Sequence, residues 1–421
     1  MPLYDVFALL LVAAAVFGYL NHRILRLPST IGLMVLALLS SLILVGLGRL
    51  EVGGVLQIVT AVKQIDFHDV LMQVMLSFLL FAGAIHVDAG QLGQLRRQVG
   101  SLAVFGTLIS TAVVGLTMFF VLPLLGLPLP LLYCLLFGAL ISPTDPIAVL
   151  GILTQAGIPK DLETKIVGES LFNDGVGVVV FVAILQLITA GDTSPDAGQL
   201  AILFAHEALG GVALGIALGY GTSWLLRTID HYKVEVLITL ALVTGGTALA
   251  TNLHTSAPLA MVVAGLIVGN NGRTLGMSDT TREYVDKFWE LLDEILNAVL
   301  FVLIGLEMLV VQFEKQYFVA GIIAIVVVLL ARLVAVTVPT LVLRQWADFT
   351  NRSLPVLTWG GLRGGISVAL ALSLPPSPAR DILVAVTYIV VVFSILVQGL
   401  TIGPLVQRLG LGNPNAAPAP H

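Results

Sequence analysis

Charge is scarce in this sequence. Of 421 residues only 11% are Asp, Glu, Lys or Arg, less than half the roughly 25% of a soluble domain. Hydrophobic residues make up 57%, and the mean hydropathy is +1.02. So few charges cannot clothe a water-facing surface at this length, so the expected solvent is the lipid bilayer. Soluble enzymes, nucleic-acid-binding proteins and disordered chains are excluded by the same balance. Cysteine is nearly absent: Cys134 stands alone, which excludes an internal disulfide, and its apolar neighbours assign it to packing. The chain also lacks an H-E-x-x-H zinc motif, a G-x-S-x-G elbow and a Walker A loop. An intramembrane metalloprotease, a serine hydrolase and an ATP-driven pump are thereby without their chemistry, and neither enzymatic activity nor a cofactor is expected.

What is present is a series of apolar runs. Windows of about 20 apolar residues reach across the hydrocarbon core, and the sequence offers thirteen: about 5–21, 29–48, 69–88, 99–125, 129–155, 164–190, 201–226, 234–251, 256–270, 289–312, 317–343, 354–374 and 381–407. Met1 to Asp5 carries no Lys or Arg while Arg23 and Arg26 follow the first run, so that run is expected to be a retained helix rather than a cleaved signal. Short gaps predict one transmembrane domain over 1–408, with a disordered Pro/Ala-rich tail at 409–421. Odd-numbered loops and the C-terminal end hold 14 of the 20 basic residues, among them Arg96, Arg97, Arg273, Arg344 and Arg352; even-numbered loops hold only Arg49, Lys63, Lys315 and Arg380. The excess places the odd loops and the C-terminus in the cytoplasm and the N-terminus outside.

The remaining two bases, Arg332 and Arg363, fall inside spans, as do Asp145, Glu169 and Asp174. A charge at mid-bilayer costs at least about 2.5–3.5 kcal/mol, which makes each a functional candidate. Three acids against two bases leave one carboxylate without a fixed counter-charge. Glu169, Ser170, Asn173 and Asp174 lie within Gly168–Gly175. On a helix, Glu169 stacks with Asn173 and Ser170 with Asp174, because i and i+4 share a face. A hydroxyl and a carboxylate on one face are hard oxygens, suited to a small cation rather than a soft metal. Each polar residue alone could glue helices together; the cluster with two acids points further, to an exchange site.

Two spans are interrupted. Ser142-Pro143-Thr144-Asp145-Pro146 breaks the fifth, since prolines remove backbone donors. Gly360-Gly361 and Gly364-Gly365 flank Arg363 in the twelfth. Freed backbone at mid-depth survives only within protein or beside a cavity. There Asp145 can hold amide ends and a guanidinium can tie carbonyl ends. If spans 1–6 and 8–13 are inverted repeats, span 5 corresponds to span 12, and such a pair marks a transporter's binding site. Gly211, Gly215 and Gly219 repeat at i+4 and are expected to admit a close helix neighbour. Glu283 to Glu294 reads as a charged helical entry to the tenth span, and Glu307, toward its outer end, is expected near water.

Glu169-Ser170-Leu171-Phe172-Asn173-Asp174-Gly175 resembles the signature of NhaP-type sodium:proton antiporters, in the cation:proton antiporter family. Ser142–Pro146, Phe301–Glu307 and Gly360–Gly365 resemble further motifs of that family, in order. The resemblance implies an all-α polytopic membrane protein of about 13 transmembrane helices, two inverted six-helix repeats, and unwound, crossing helices 5 and 12. It implies a transport bundle at about 99–190 and 317–408, and a dimer domain at about 5–88 and 201–312. By position, Asp174 takes cation or proton, and Ser170 and the Thr144 carbonyl are ion ligands. Glu169 helps through water or by pairing with Arg332, Asn173 orients the site, and Asp145 and Arg363 neutralise the broken ends. Many members carry a cation-reaching Glu in the third span; here Phe81-Ala82-Gly83-Ala84-Ile85 puts Ala82 in its place, implying one ligand fewer. The implied activity is exchange of a monovalent cation, sodium first and potassium as the alternative, for a proton. Electroneutral exchange by alternating access in a homodimer is implied, in an inner or plasma membrane, with lipid as the surrounding partner. A cation channel would need an open multi-ion path, and no ring of acids or carbonyl filter is visible; a membrane-embedded sensor would not need Asp174 to titrate.

Overall fold

A computed structural model of the chain describes residues 3–49, 75–145, 147–190, 197–272, 277–309, 314–343 and 353–411. Pro146, the loop residues Lys63, Arg273, Arg344 and Arg352, the first part of the expected third span (69–74) and the tail from 412 lie outside the described residues. Every regular element described is a helix. In chain order these are α1 (Leu3–Leu20), α2 (Ser29–Arg49), α3 (Leu76–Ile85), α4 (Ala89–Leu124), α5 (Leu131–Ile141), α6 (Ile147–Gln155), α7 (Lys160–Ala190) and α8 (Ala197–Leu226). They continue with α9 (Tyr232–Asn252), α10 (Ala257–Gly272), α11 (Asp279–Glu307), α12 (Lys315–Leu343), α13 (Ser353–Trp359), α14 (Gly365–Leu372) and α15 (Pro378–Arg408).

Among the described residues eight helices are long and apolar enough to cross a bilayer: those of α1, α2, α4, α7, α8, α9, α12 and α15. α3, α5 and α10 are shorter apolar helices. Large apolar side chains point outward along them, such as Phe7, Val12 and Val16 on α1 and Phe318, Ile322 and Val326 on α12, while Glu169, Asn173, Asp174, Arg332 and Arg363 are buried. Apolar outside with charges inside inverts the pattern of a soluble protein and is what a lipid solvent selects. The chain is a multi-pass membrane protein.

One helix begins about ten residues before its expected start, and a second carries its charged helical entry a turn further back. α4 starts at Ala89 rather than 99, because Asp88 accepts hydrogen bonds from Gly90 N (2.7 Å) and Gln91 N (3.2 Å) and caps it. Arg96 and Arg97 thus ride on a helix instead of a loop. α11 has the expected charged helical entry and starts at Asp279, capped by Ser278, which accepts from Thr281 N (3.4 Å). Hydropathy marks where a helix enters lipid, whereas capping marks where it starts, and a polar helical extension satisfies the second without the first.

The glycine repeat lets α8 lie against α10. A Cβ on Gly211 would come within 2.6 Å of Ser256 O, one on Gly215 within 2.5 Å of Ala260 O, and one on Gly219 within 2.9 Å of Ile267 Cβ. The first two obstacles are backbone and cannot yield. Gly215→Ala should therefore force the helices apart and cost about 1–3 kcal/mol. Gly221→Ala on the same helix, with open space around its Cβ, should be neutral or slightly stabilising. Thermal unfolding of both variants in detergent checks the contrast.

Candidate functional site

The site begins where two helices are cut. α5 stops at Ile141 and α6 resumes at Ile147; α13 stops at Trp359 and α14 resumes at Gly365. The two breaks meet: Asp145 N donates to Leu362 O at 2.8 Å. Each break supplies the charge that the other needs. Arg363 Nη1 donates to Ser142 O and, at 3.1 Å, to Pro143 O, tying carbonyls released at the end of α5. A Cβ on Gly364 would fall 2.2 Å from Asp145 Oδ2, so only glycine lets that carboxylate settle against the N-terminus of α14, where helix amides favour an anion. Arg363 N in turn donates to Ser394 Oγ at 2.8 Å, which anchors the second break to α15.

α7 passes beside this junction as a 31-residue helix with Asp174 near its middle. Its polar cluster divides into three tasks. Asn173 grips the first break, with Oδ1 accepting from Thr144 N (3.2 Å) and Nδ2 donating to Thr144 Oγ1 (2.8 Å). The hydroxyls of Ser170 and Thr144 lie 2.9 Å apart. Glu169 turns away to Arg332 on α12: Nη1 donates to Oε1, and Nη2 to Oε2 at 2.9 Å, a bidentate buried pair. Arg332 Nε and Nη2 also donate to Leu357 O, at 3.2 and 3.0 Å, so this pair fastens α13 as well. Bidentate geometry and the carbonyl partner are what a buried pair requires to offset desolvation.

Asp174 has none of these ties. It is 6% exposed, makes no hydrogen bond or ion pair among the described residues, and lines a cavity of about 70 Å³. Pro143, Thr144, Asp145, Gly364, Leu76 and Leu80 share that lining. The space suits a small cation with some of its water. Of the residues singled out from sequence, Asp174, Thr144 and Asp145 face the cavity. Ser170 stands behind Thr144, and Glu169, Asn173, Arg332 and Arg363 brace the walls.

Two expectations are corrected. Ala82 does not face the cavity. α3 presents Leu76, Leu79, Leu80 and Gly83 to it, the i, i+3, i+4 and i+7 positions of one face. Ala82, roughly 100° round the helix from Gly83, packs with Phe81, Ile85, Met261 and Trp289. The position on α3 from which a carboxylate would reach the cavity is thus not Ala82. Glu307 is not near water: it is 1% exposed, in a small cavity walled by Leu303, Ile304, Val368 and Leu372. Position near a helix end suggested solvent, but α14 covers that end of α11.

Two polar lining residues went unremarked in the sequence, Asn297 on α11 and Ser367 on α14. Asn297 sits in an apolar stretch, four residues after Asp293, and a polar residue in that setting was the available signal.

Comparison with known proteins agrees with this architecture. A family model described as "Sodium/hydrogen exchanger, transmembrane" matches residues 11–408. The chain is 53% identical to the Na(+)/H(+) antiporter NhaP of Pseudomonas aeruginosa over 416 residues, 97% of this chain and 98% of that one. It is 35% identical to the Na(+)/H(+) antiporter NhaH of Halobacillus dabanensis, over 97% and 99% of the two chains. Its fold is similar to that of the sodium proton antiporter MjNhaP1 of Methanocaldococcus jannaschii at pH 8, with a TM-score of 0.77 over 97% of this chain and 99% of that one at 20% identity. With nearly its whole length matched, the chain belongs to the sodium/hydrogen exchanger family.

Proposed function

We propose that the protein is a secondary active antiporter that exchanges sodium for a proton, one for one, at Asp174. The observation that carries this is the isolation of Asp174: it alone among the three membrane acids lines the cavity without a cationic or hydrogen-bonded partner among the described residues, or a helix end beneath it. A carboxylate in that position binds a proton or a cation but not both, since each removes the charge that attracts the other. The naming of the relatives as sodium/proton antiporters supports the choice of ions. Thr144 offers neutral oxygen to the cation from the cavity wall, and Ser170, expected as a second ligand, stands behind it against the Thr144 hydroxyl. Asn173 is neutral and held by Thr144, which leaves one titrating group on that turn of α7 and favours electroneutral exchange.

Alternating access follows if one group of helices moves against another around the site. The bundle is assigned to about 99–190 and 317–408, and a homodimer-forming domain to about 5–88 and 201–312. Packing supports the division: α4 packs on α5, α7 and α12, and α15 on α12 and α14, while α2 packs on α11 and α10 on α3 and α8. The excess of basic residues in alternate loops favours a plasma or inner membrane location with the N-terminus outside.

The test is dissipation of an imposed pH gradient in proteoliposomes as each cation is added, with voltage clamped by an ionophore. Sodium should dissipate the gradient, with no dependence on the clamp. A response to potassium alone would replace sodium as the substrate, and a response to no cation would overturn antiport.

A further inference from the structure

The α11 side of the cavity carries a polar group that neither the fold nor the exchange step uses. Asn297 is 3% exposed and lines the cavity. It approaches the Asp293 carboxylate one turn earlier, yet neither its Oδ1 nor its Nδ2 completes a hydrogen bond there or elsewhere among the described residues. Across the cavity Ser367 on α14 is 1% exposed, and its hydroxyl is likewise without a partner. Buried polar groups are almost always hydrogen-bonded, so an unpartnered one turned into a cavity calls for a ligand. Here the cavity is shared with Asp174 and Thr144. An amide oxygen and a hydroxyl are hard, neutral donors of the kind a small monovalent cation or its bound water accepts.

The two groups stand on opposite parties to the movement. Ser367 lies in the helices assigned to the bundle and Asn297 in those that stay. We propose that Asn297 is a cation-contacting residue, direct or through one water, that serves the site in only one of its two facings; this rests on the antiport reading above. The facing is the cytoplasmic one. The start of α11 carries Arg282 and Lys287, in the basic loop assigned to the cytoplasm, and Asp293, one turn before Asn297, is partly exposed with its Oδ1 buried, whereas Glu307, at the other end of the same helix, is sealed beneath α14. A cation reaching Asp174 from the cytoplasm meets Asn297; one carried to the opposite face leaves it behind. The site then binds its cation unequally on the two sides without any difference in the ligands that travel.

The experiment measures half-saturation by sodium from each face, in inside-out and right-side-out vesicles, for wild type, Asn297→Ala, Asn297→Gln and Ser367→Ala. Losing one neutral ligand should weaken apparent binding roughly three- to tenfold. Asn297→Ala should show that weakening from the cytoplasmic face and a smaller one from outside, and Asn297→Gln, which keeps the amide, should recover part of it. Ser367→Ala should weaken both faces alike. An Asn297→Ala variant that matches wild type on both faces, or weakens both equally, would overturn the role of Asn297 and leave antiport intact. Should Asn297→Ala fail to fold, Asn297→Thr carries the same expectation. Absence of any sodium-coupled proton movement in the wild type would overturn both.

Discussion

Asp174→Asn should abolish sodium-dependent proton movement while the protein still folds. Asn has nearly the shape of Asp, and among the described residues the wild-type side chain makes no hydrogen bond or ion pair that the substitution would break, so thermal unfolding in detergent should stay close to wild type. What is lost is charge. An amide neither releases a proton at any accessible pH nor neutralises a cation, and a cation stripped of water without a counter-charge is too costly to hold at mid-membrane. The expected loss is complete within the sensitivity of a proteoliposome pH-gradient assay. Sodium-driven proton flux at the wild-type rate in this variant would remove Asp174 from the centre of the mechanism.

Breaking the Glu169–Arg332 pair should have the largest effect on stability. Both side chains are buried and joined by two parallel hydrogen bonds, and Arg332 also holds the Leu357 carbonyl. Removing one partner strands the other's charge in an apolar interior, at a cost of order 3–5 kcal/mol. Glu169→Ala and Arg332→Ala should each lower the unfolding temperature substantially. The double variant should be less unstable than the sum of the two, because it strands no charge. Gly361 sharpens the case, since a Cβ there would meet Arg332 Nε at 2.5 Å; the guanidinium fills the space beside the second break. Strict additivity in the thermal cycle would show that the two residues do not act as a pair.

Much of the site could be read from the chain because membrane charge is costly. Five charges inside apolar runs, two of them at Pro- or Gly-rich breaks, stood out against the composition, and the i+4 spacing of Glu169 with Asn173 and of Ser170 with Asp174 fixed which side chains share a face. Charge arithmetic showed only that one of the three acids lacks a fixed base; the pairing of Glu169 with Arg332 was one of two alternatives implied by the family resemblance, and the structure shows it. Spacing could not show the crossing itself. That Arg363 ties the carbonyls of the other break while Asp145 sits against Gly364 depends on how two distant helices meet. Ala82 was misplaced because a motif gives register along a helix only to within a residue, and one residue turns a side chain by roughly 100°. Asn297 escaped notice for a related reason: a single amide in an apolar helix usually glues helices, and only the wall it helps to form distinguishes it. The early start of α4 was hidden by polar sequence that lipid-based windows pass over.

Proton and sodium should compete for one carboxylate, that of Asp174. Sodium added to the purified protein in weakly buffered detergent solution tests it most directly, with released protons followed by a pH indicator and sodium binding by calorimetry. One proton should be released for each sodium bound, with a half-saturation that rises as pH falls because protons compete, and no release from Asp174→Asn. Sodium binding without proton release, or release undiminished in Asp174→Asn, would contradict it.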